Sequence, residues 1–581
     1  MLEHWLQGRR YYALVVGSAL ALGILVSLPQ GLHMLDSRYQ GIPVHLNSDE
    51  FSYMPRLMEA LLGRSTELGT AVTGGEERLP VLQPALPELV YGFLFRPLGL
   101  SIATVLTILD FLEPALLFLA LVAFLRSCGL DRRRAYIAAV LFCVLQLYNL
   151  GRPIHQRLSF LLTIVSLTLL IEGLERRVVY GILGGILMGL LIDVYFWAWT
   201  AAFGWYALLL VFEFLQWASS RAQHQWFGVR RPFYSRLFMN ILKPVQHLLG
   251  RMEGTVSSFR VQSLLFFGGA GVVAGMPFLW KMYTTSRHPL YPEVFFRSGM
   301  GQSHAPESWP WTILFAAMAA AIVMFFWTGD QPRRNRYLAC TVIAAFALLN
   351  QHIIHGTLFL FASHYLFFLV LAAVMALTYA WGRGTAAGAI IVVASGVFLA
   401  GIVYDNRSLL PQWWISAQDF EEQHLANTLP ILAQLPRTTI LSDPLTSSFI
   451  ASFSQHDVLF THYIQHEMRS HKELAERYCL TQVPLPAALR KPEEEPVLVY
   501  GAAYDAIEDP VARIKVRGEE LSLVADACRQ VDTNPAGTME RYKVLYILWD
   551  EARNPDWDLL RLPLNLRQVG EGEGWSLWKV M

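Results

Sequence analysis

Apolar residues run in blocks of fourteen or more along the first two thirds of the chain, with short polar breaks between them. A helix that crosses a bilayer needs about 20 predominantly apolar residues, because every backbone polar group must be satisfied within the segment. Such runs predict about eleven spanning helices. The first covers Tyr11–Leu28 and the second Ser101–Leu125. Four follow at Ala135–Leu150, Leu158–Glu172, Val179–Ile192 and Tyr195–Trp217. After a polar gap come Ser263–Trp280, Trp311–Trp327, Tyr337–Ile354, His364–Trp381 and Ala386–Tyr404. No small-residue cleavage pattern closes the first run, so it reads as an uncleaved helix.

Beyond Tyr404 the pattern changes. Runs rich in β-formers (Thr438–Leu441, Val458–Thr461, Val497–Gly501, Tyr542–Trp549, Trp575–Val580) alternate with helix-like stretches such as Glu467–Cys479. That alternation predicts an α/β domain. The expected architecture is a polytopic α-helical membrane protein with a C-terminal extracytoplasmic α/β domain. Residues 1–404 form the transmembrane part, with a first outer loop over 30–100, a basic cytoplasmic segment over 218–261 and an outer loop over 281–310. Residues 405–581 form the soluble part. There is no internal repeat and no low-complexity segment.

Composition agrees. Of 581 residues, 54% are hydrophobic and 16% charged, against about 25% charged in ordinary soluble domains. Lys+Arg and Asp+Glu are both 46, so the formal net charge is zero. These values exclude a disordered chain, a basic nucleic-acid binder and a disulfide-dense scaffold. The cations are unevenly placed. Arg9, Arg10, Arg126, Arg132–Arg134, Arg176, Arg177, Arg333, Arg334, Arg336 and Arg383 fall in one alternate set of loops, together with the stretch Arg221–Arg260. The positive-inside rule puts that set, and the N-terminus, in the cytoplasm. The expected location is the bacterial inner (plasma) membrane. Gly181, Gly184, Gly185 and Gly189 have the spacing of close helix–helix contacts. Cys143 and Cys340 lie within spans. Cys479 and Cys528 lie in the outer part, where an oxidising compartment permits a disulfide.

The first outer loop carries His45-Leu-Asn-Ser-Asp49-Glu50-Phe-Ser-Tyr53-Met-Pro-Arg56. Adjacent carboxylates can serve as general base or as metal ligands for a phosphate. On a helix Asp49 and Tyr53 share a face, whereas Glu50 points about 100° away. Ser48 ahead of this pair is equally a helix N-cap with acidic first-turn residues. An acidic pair just past the first span, then an amphipathic stretch (Pro84–Arg96) and many spans, resembles the GT-C superfamily of integral-membrane glycosyltransferases. These include protein O-mannosyltransferases, lipid A aminoarabinose transferases and oligosaccharyltransferases. The resemblance covers about the first 400 residues. It implies an enzyme that takes a sugar from a polyprenyl-phosphate donor in the bilayer to a protein, lipid or glycan acceptor outside, with no nucleic-acid partner. Asp49 would be the base or metal-linked acid and Glu50 its support. Mg²⁺ or Mn²⁺ would suit Asp49 if the reaction is metal-dependent.

Such chemistry needs cations at the outer ends of helices to neutralise a departing phosphate. Gly151-Arg152-Pro-Ile-His155-Gln-Arg157 breaks the positive-inside trend at an outer turn. Asp193, in the next outer turn with Tyr195 and Trp197, could hold a sugar hydroxyl; the aromatics alone would form an interfacial belt. The second long outer loop supplies Lys281, His288, Tyr291, Glu293 and Arg297. A third group is Asn350-Gln351-His352-Ile-Ile-His355, followed by His364-Tyr365, polar groups that are costly at membrane depth. With Tyr53 and Arg56 these form the pool of substrate-binding candidates. The sequence has no Walker loop, HExxH, CxxC or GxSxG. Two other readings fit the same groups: a transporter or lipid-carrier flippase, and a non-enzymatic envelope assembly factor.

Overall fold

The computed structural model describes the chain except for residues 1, 45–49, 65–83, 152–154, 227–257, 307, 329–331, 360–361, 383, 408–419, 462–465, 496–497 and 508. Each expected apolar run falls on a helix. These are α1 (Leu2–Leu35), α4 (Ile102–Ser127), α5 (Arg132–Leu145), α6 (His155–Glu175), α7 (Val178–Leu190), α8 (Phe196–Trp226), α9 (Ser258–Ser286), α11 (Trp309–Thr328), α12 (Pro332–Asn350), α13 (Leu366–Ala380) and α14 (Ala386–Asn406). Among the described residues seven are long and apolar enough to cross a membrane, namely α1, α4, α6, α8, α9, α12 and α14. The apolar helices α7 and α13 are shorter, and α5 has 14 residues. At 1.5 Å per residue such a helix is about 20 Å long, less than the hydrocarbon thickness of ~30 Å. The protein is therefore a membrane protein whose helices differ widely in reach.

Local chemistry sets several boundaries. Ser101 caps α4 by accepting from the Thr104 amide, and Asp131 caps α5 ahead of its three arginines by accepting from Arg134. The glycine stripe of α7 works as its spacing implies. A Cβ on Gly185 or Gly189 would collide with the backbone of α9 at Phe267 or Gly271, so bare glycine is what lets α7 and α9 touch. The helices share one continuous apolar core.

Two shorter helices, α2 (Glu50–Leu61) and α3 (Leu86–Phe95), lie outside that core against the start of α4. Met54 and Leu57 of α2, Tyr91 of α3 and Val105 and Leu109 of α4 bury one another. In the second outer loop, α10 (Tyr291–Arg297) leads into β1 (Met300–Gln302), which pairs antiparallel with β2 (Thr357–Phe359).

The C-terminal part is a five-stranded mixed sheet in the order β4-β3-β5-β7-β6. Its strands are β3 (Thr439–Leu441), β4 (Asp457–Val458), β5 (Val544–Asp550), β6 (Leu566–Gly572) and β7 (Trp575–Val580). Strands β4, β3 and β5 are parallel; β7 runs antiparallel to β5 and to β6. Helix α15 (Pro444–Phe453) crosses from β3 to β4, while α16 (His471–Gln482) and α17 (Pro510–Thr533) pack together. Cys479 of α16 and Cys528 of α17 form a disulfide. One expectation is corrected here. The apolar stretch Val497–Gly501 is not a strand over its described residues, and residues 501–506 form a 3-10 turn. The amides of Val499 and Tyr500 donate to the Glu520 carboxylate (2.8 and 2.7 Å) where a strand would donate to a neighbour.

Candidate functional site

The site is built around α2, which begins at the buried Glu50. Asp49, the expected base, lies outside the described residues, as does Arg152. One turn into α2, Tyr53 stacks on the imidazole of His155, ring centroids 4.4 Å apart. Arg56, one turn further on, places Nε 3.1 Å from Oε1 of Glu88 in the first turn of α3. His155 Nε2 lies 2.8 Å from the same oxygen, and its Nδ1 lies 2.9 Å from the Val194 carbonyl. Both ring nitrogens thus face oxygen acceptors. Glu88 is 0% exposed. Burial pushes its carboxyl up, but Arg56 and His155 outweigh that and hold it below the ordinary glutamate range.

A second buried network lies beside the first. Arg157 Nη1 donates to Asp110 (2.7 Å) and to the Leu150 carbonyl (2.9 Å), and its Nε donates to Glu113 (2.6 Å). The Tyr91 hydroxyl completes the set by donating to Glu113. Arg157 was expected to meet a phosphate. Two carboxylates of α4 hold its guanidinium, which ties the start of α6 to α4.

The turn Asp193-Val194-Tyr195-Phe196-Trp197 connects these networks to a cleft. Lys281 Nζ, at the outer part of α9, is 3.6 Å from Asp193 Oδ1 and remains 41% exposed. Val194 supplies the carbonyl that holds His155. Tyr195 and Trp197 then line a small cleft that also takes in Gln156, Phe160, His364 and Phe367. Its lining mixes aromatic side chains with the polar Gln156, Ser159 and Thr163, and Gln156 follows His155 directly in sequence. The buried Tyr195 hydroxyl has no hydrogen-bond partner among the described residues. His364 stacks on Trp197 at 4.4 Å. Tyr365 is tied down by Thr200 (2.9 Å) and Gln351 (2.8 Å).

Two solved structures resemble the chain. An oligosaccharyltransferase from Archaeoglobus fulgidus, crystallised with a tethered acceptor peptide, aligns over 94% of this chain and 70% of its own, with 14% identity and a TM-score of 0.46. ArnT from Cupriavidus metallidurans aligns over 99% and 98%, with 14% identity and a TM-score of 0.35. At this level neither assigns the chain to a family or a reaction. No family model matches the chain, and no curated protein matches it.

Of the expected residues, His364 and Tyr365 line the cleft itself. Glu293 accepts from the His471 amide, and Arg297, fully buried, donates to the Glu467 carbonyl (2.8 Å). Both residues therefore turn to the C-terminal part and dock it on the second outer loop. His288 accepts from the Leu290 amide (3.2 Å) at the entry to α10, whose first residue is Tyr291. His355 is exposed and accepts from the Thr357 amide (3.1 Å) at the turn where Gly356 has φ +78°. These residues shape turns and an interface.

Conversely, Glu88, Asp110 and Glu113 are central and were not among the expected residues. Asp110 and Glu113 did carry a signal: two acids three apart inside an apolar run seldom occur without a partner. Among the described residues no group of three His, Cys, Asp or Glu is arranged to hold a metal ion.

Proposed function

We propose that the chain is a membrane glycosyltransferase that moves a sugar from a polyprenyl-phosphate donor to an extracytoplasmic acceptor. Asp49 is its base or metal-linked acid, with Glu50 beside it. The observation that carries this reading is a chain of contacts that runs from α2 to the cleft. Tyr53 and Arg56 of α2 meet His155 and Glu88, His155 meets the Val194 carbonyl, and the neighbouring Tyr195 and Trp197 line the cleft with His364 and Tyr365.

The chemistry follows from that arrangement. A lipid-linked donor keeps its hydrocarbon tail in the bilayer, so its phosphate and sugar sit at headgroup depth. A lining of mixed aromatic and polar side chains suits an amphipathic group there. In the reaction the bond between the anomeric carbon and the phosphate oxygen breaks. A new bond forms to the acceptor, whose proton passes to the carboxylate. The phosphate keeps the bonding electrons and must be neutralised. Lys281 is the cation best able to do so, being half-exposed and only loosely paired. Arg56, within electrostatic reach of Asp193, adds a second cation beside it. The pairing of Cys479 with Cys528 supports an oxidising compartment, hence an extracytoplasmic location, for the C-terminal part.

The test uses purified full-length protein in nanodiscs with polyprenyl-phosphate sugars labelled in the sugar. Transfer to water or an acceptor is expected, and Asp49→Asn should abolish it while the protein still inserts and folds. Full activity in Asp49→Asn would remove Asp49 from the mechanism. Vectorial flux of the labelled lipid in sealed vesicles, with no sugar release, would replace the enzyme by a flippase.

A further inference from the structure

The segment that carries Asp49 leaves α1 and enters α2, and the C-terminal part holds both of its described flanks. On the upstream side Ile42 is only 1% exposed, buried in the core of the C-terminal sheet with Leu425, Ile440 and Tyr546. Gln423 bridges the same stretch of backbone. Its Nε2 donates to the Ile42 carbonyl (2.8 Å) and its Oε1 accepts from the Gln40 amide (2.7 Å). That two-point bond imitates a neighbouring strand, yet it joins residues 381 apart in sequence. Phe420 adds a stack on His33 at the end of α1 (4.4 Å), and the Arg38 guanidinium covers the Phe420 ring at 3.8 Å.

On the downstream side, α15 packs on α2, and Phe453 enters the apolar cluster of Met54 and Leu57. Arg64, just past α2, donates to the Gln455 carbonyl (2.7 Å) and to Glu59 (3.1 Å). The clamp therefore acts on two faces. One grips the backbone before Val44 and the other grips the helix that starts at Glu50.

We infer that Gln423 is a positioning residue for the exit of α1, and that the C-terminal part serves as the frame that holds both this exit and the start of α2 at Glu50. The role rests on the glycosyl-transfer reading above. Its physical basis is general. A base contributes most when its supporting elements are rigid, and misplacement by about 1 Å costs on the order of a hundredfold in rate. Gln423 is 3% exposed and touches no part of the cleft described above, so its effect on rate must pass through the backbone it holds.

The test compares wild-type full-length protein with Gln423→Leu, which removes its hydrogen bonds to Gln40, Ile42 and His33, and with Gln423→Asn, which keeps the amide on a shorter stem as the milder variant should leucine prevent folding. Cys479→Ser/Cys528→Ser serves as a comparison, because it loosens the same C-terminal part in a different apolar cluster. Hydrogen exchange is measured at Gln40 and across α2, with kcat and donor KM alongside. The expected result is at least tenfold faster exchange at Gln40 in Gln423→Leu. A fall in kcat of about 10–100-fold should accompany it, with KM within about twofold. The double serine variant should lose thermal stability and keep its kcat. Unchanged exchange at Gln40 overturns the clamp, whatever the activity. Faster exchange with unchanged kcat overturns the positioning role, as does an equal fall of kcat in the serine variant. A wild-type protein that transfers no sugar defeats the glycosyl-transfer reading instead, and the exchange result still judges the clamp.

Discussion

Replacing Glu88 with glutamine probes the charge balance that holds the site together. The carboxylate is fully buried and takes contacts from Arg56 (3.1 Å) and His155 (2.8 Å). Glutamine keeps the volume and one acceptor but removes the negative charge, leaving the Arg56 guanidinium buried without its carboxylate. Breaking a buried ion pair from one side costs about 3–5 kcal/mol, and the retained acceptor puts this case near the lower end, about 3 kcal/mol. That is a change of roughly a hundredfold in a folding equilibrium. A double-mutant cycle isolates the pair. Arg56→Met alone leaves Glu88 with one partner, and the double variant has no unmatched charge at the pair. The double variant should be less destabilised than the sum of the singles by about 2 kcal/mol. The assay is equilibrium unfolding of the four proteins in mixed micelles, with intrinsic tryptophan fluorescence as the signal. Additive effects, or a Glu88→Gln protein within about 0.5 kcal/mol of wild type, would refute a functional ion pair here.

Two further outcomes concern the C-terminal part. Burial, reinforced by Asp443 and Asp550 and opposed by Arg553 and His424, pushes the Glu422 carboxyl up to about 7. His424 is also raised: burial lowers it, but its bond to Asp550 (3.0 Å) outweighs that. Stability from a raised group is complete below its unfolded value and is lost as pH climbs through the folded one. For Glu422 that window is pH ~4.5 to ~7 and its size up to about 3 kcal/mol. Thermal melts should therefore show this part weakening from pH 5 to pH 8, with the slope flattened in Glu422→Gln; a wild-type protein that gains stability over the same range contradicts the assignment. Reducing Cys479–Cys528, which closes a sequence separation of 49 residues, should cost about 2–4 kcal/mol. A melting temperature indifferent to reductant would show that the two thiols are not joined.

The membrane helices were legible because a hydrocarbon solvent leaves a segment little choice: a long apolar run there becomes a helix. The strands were less so. Val497–Gly501 has a strand's composition, but a single buried carboxylate, Glu520, takes its amides and bends it away from the sheet. The charged strand β6 escaped notice because it lies at the edge of the sheet, where alternation with a buried face is weak. At the site, the residue types and turns were legible one by one, whereas their partners were not. Arg157 read as a free outer cation; its match to Asp110 and Glu113 exists only once α4 and α6 pack. Glu293 and Arg297 read as substrate groups because nothing local reveals that the second outer loop meets the C-terminal part. The bond between Gln423 and Ile42 joins opposite ends of the chain and has no sequence signature at all.

Where the donor phosphate sits decides most directly whether this cleft performs lipid-linked glycosyl transfer. A cryo-EM map of the protein with a non-hydrolysable polyprenyl-phosphate sugar should place the phosphate against at least two of Lys281, His155 and Arg56. The first isoprene units should lie over Phe160 and Phe367, and the sugar should face the start of α2. A phosphate bound among Arg132–Arg134 or Arg176–Arg177, or a cleft left empty at saturating ligand, would contradict the reading.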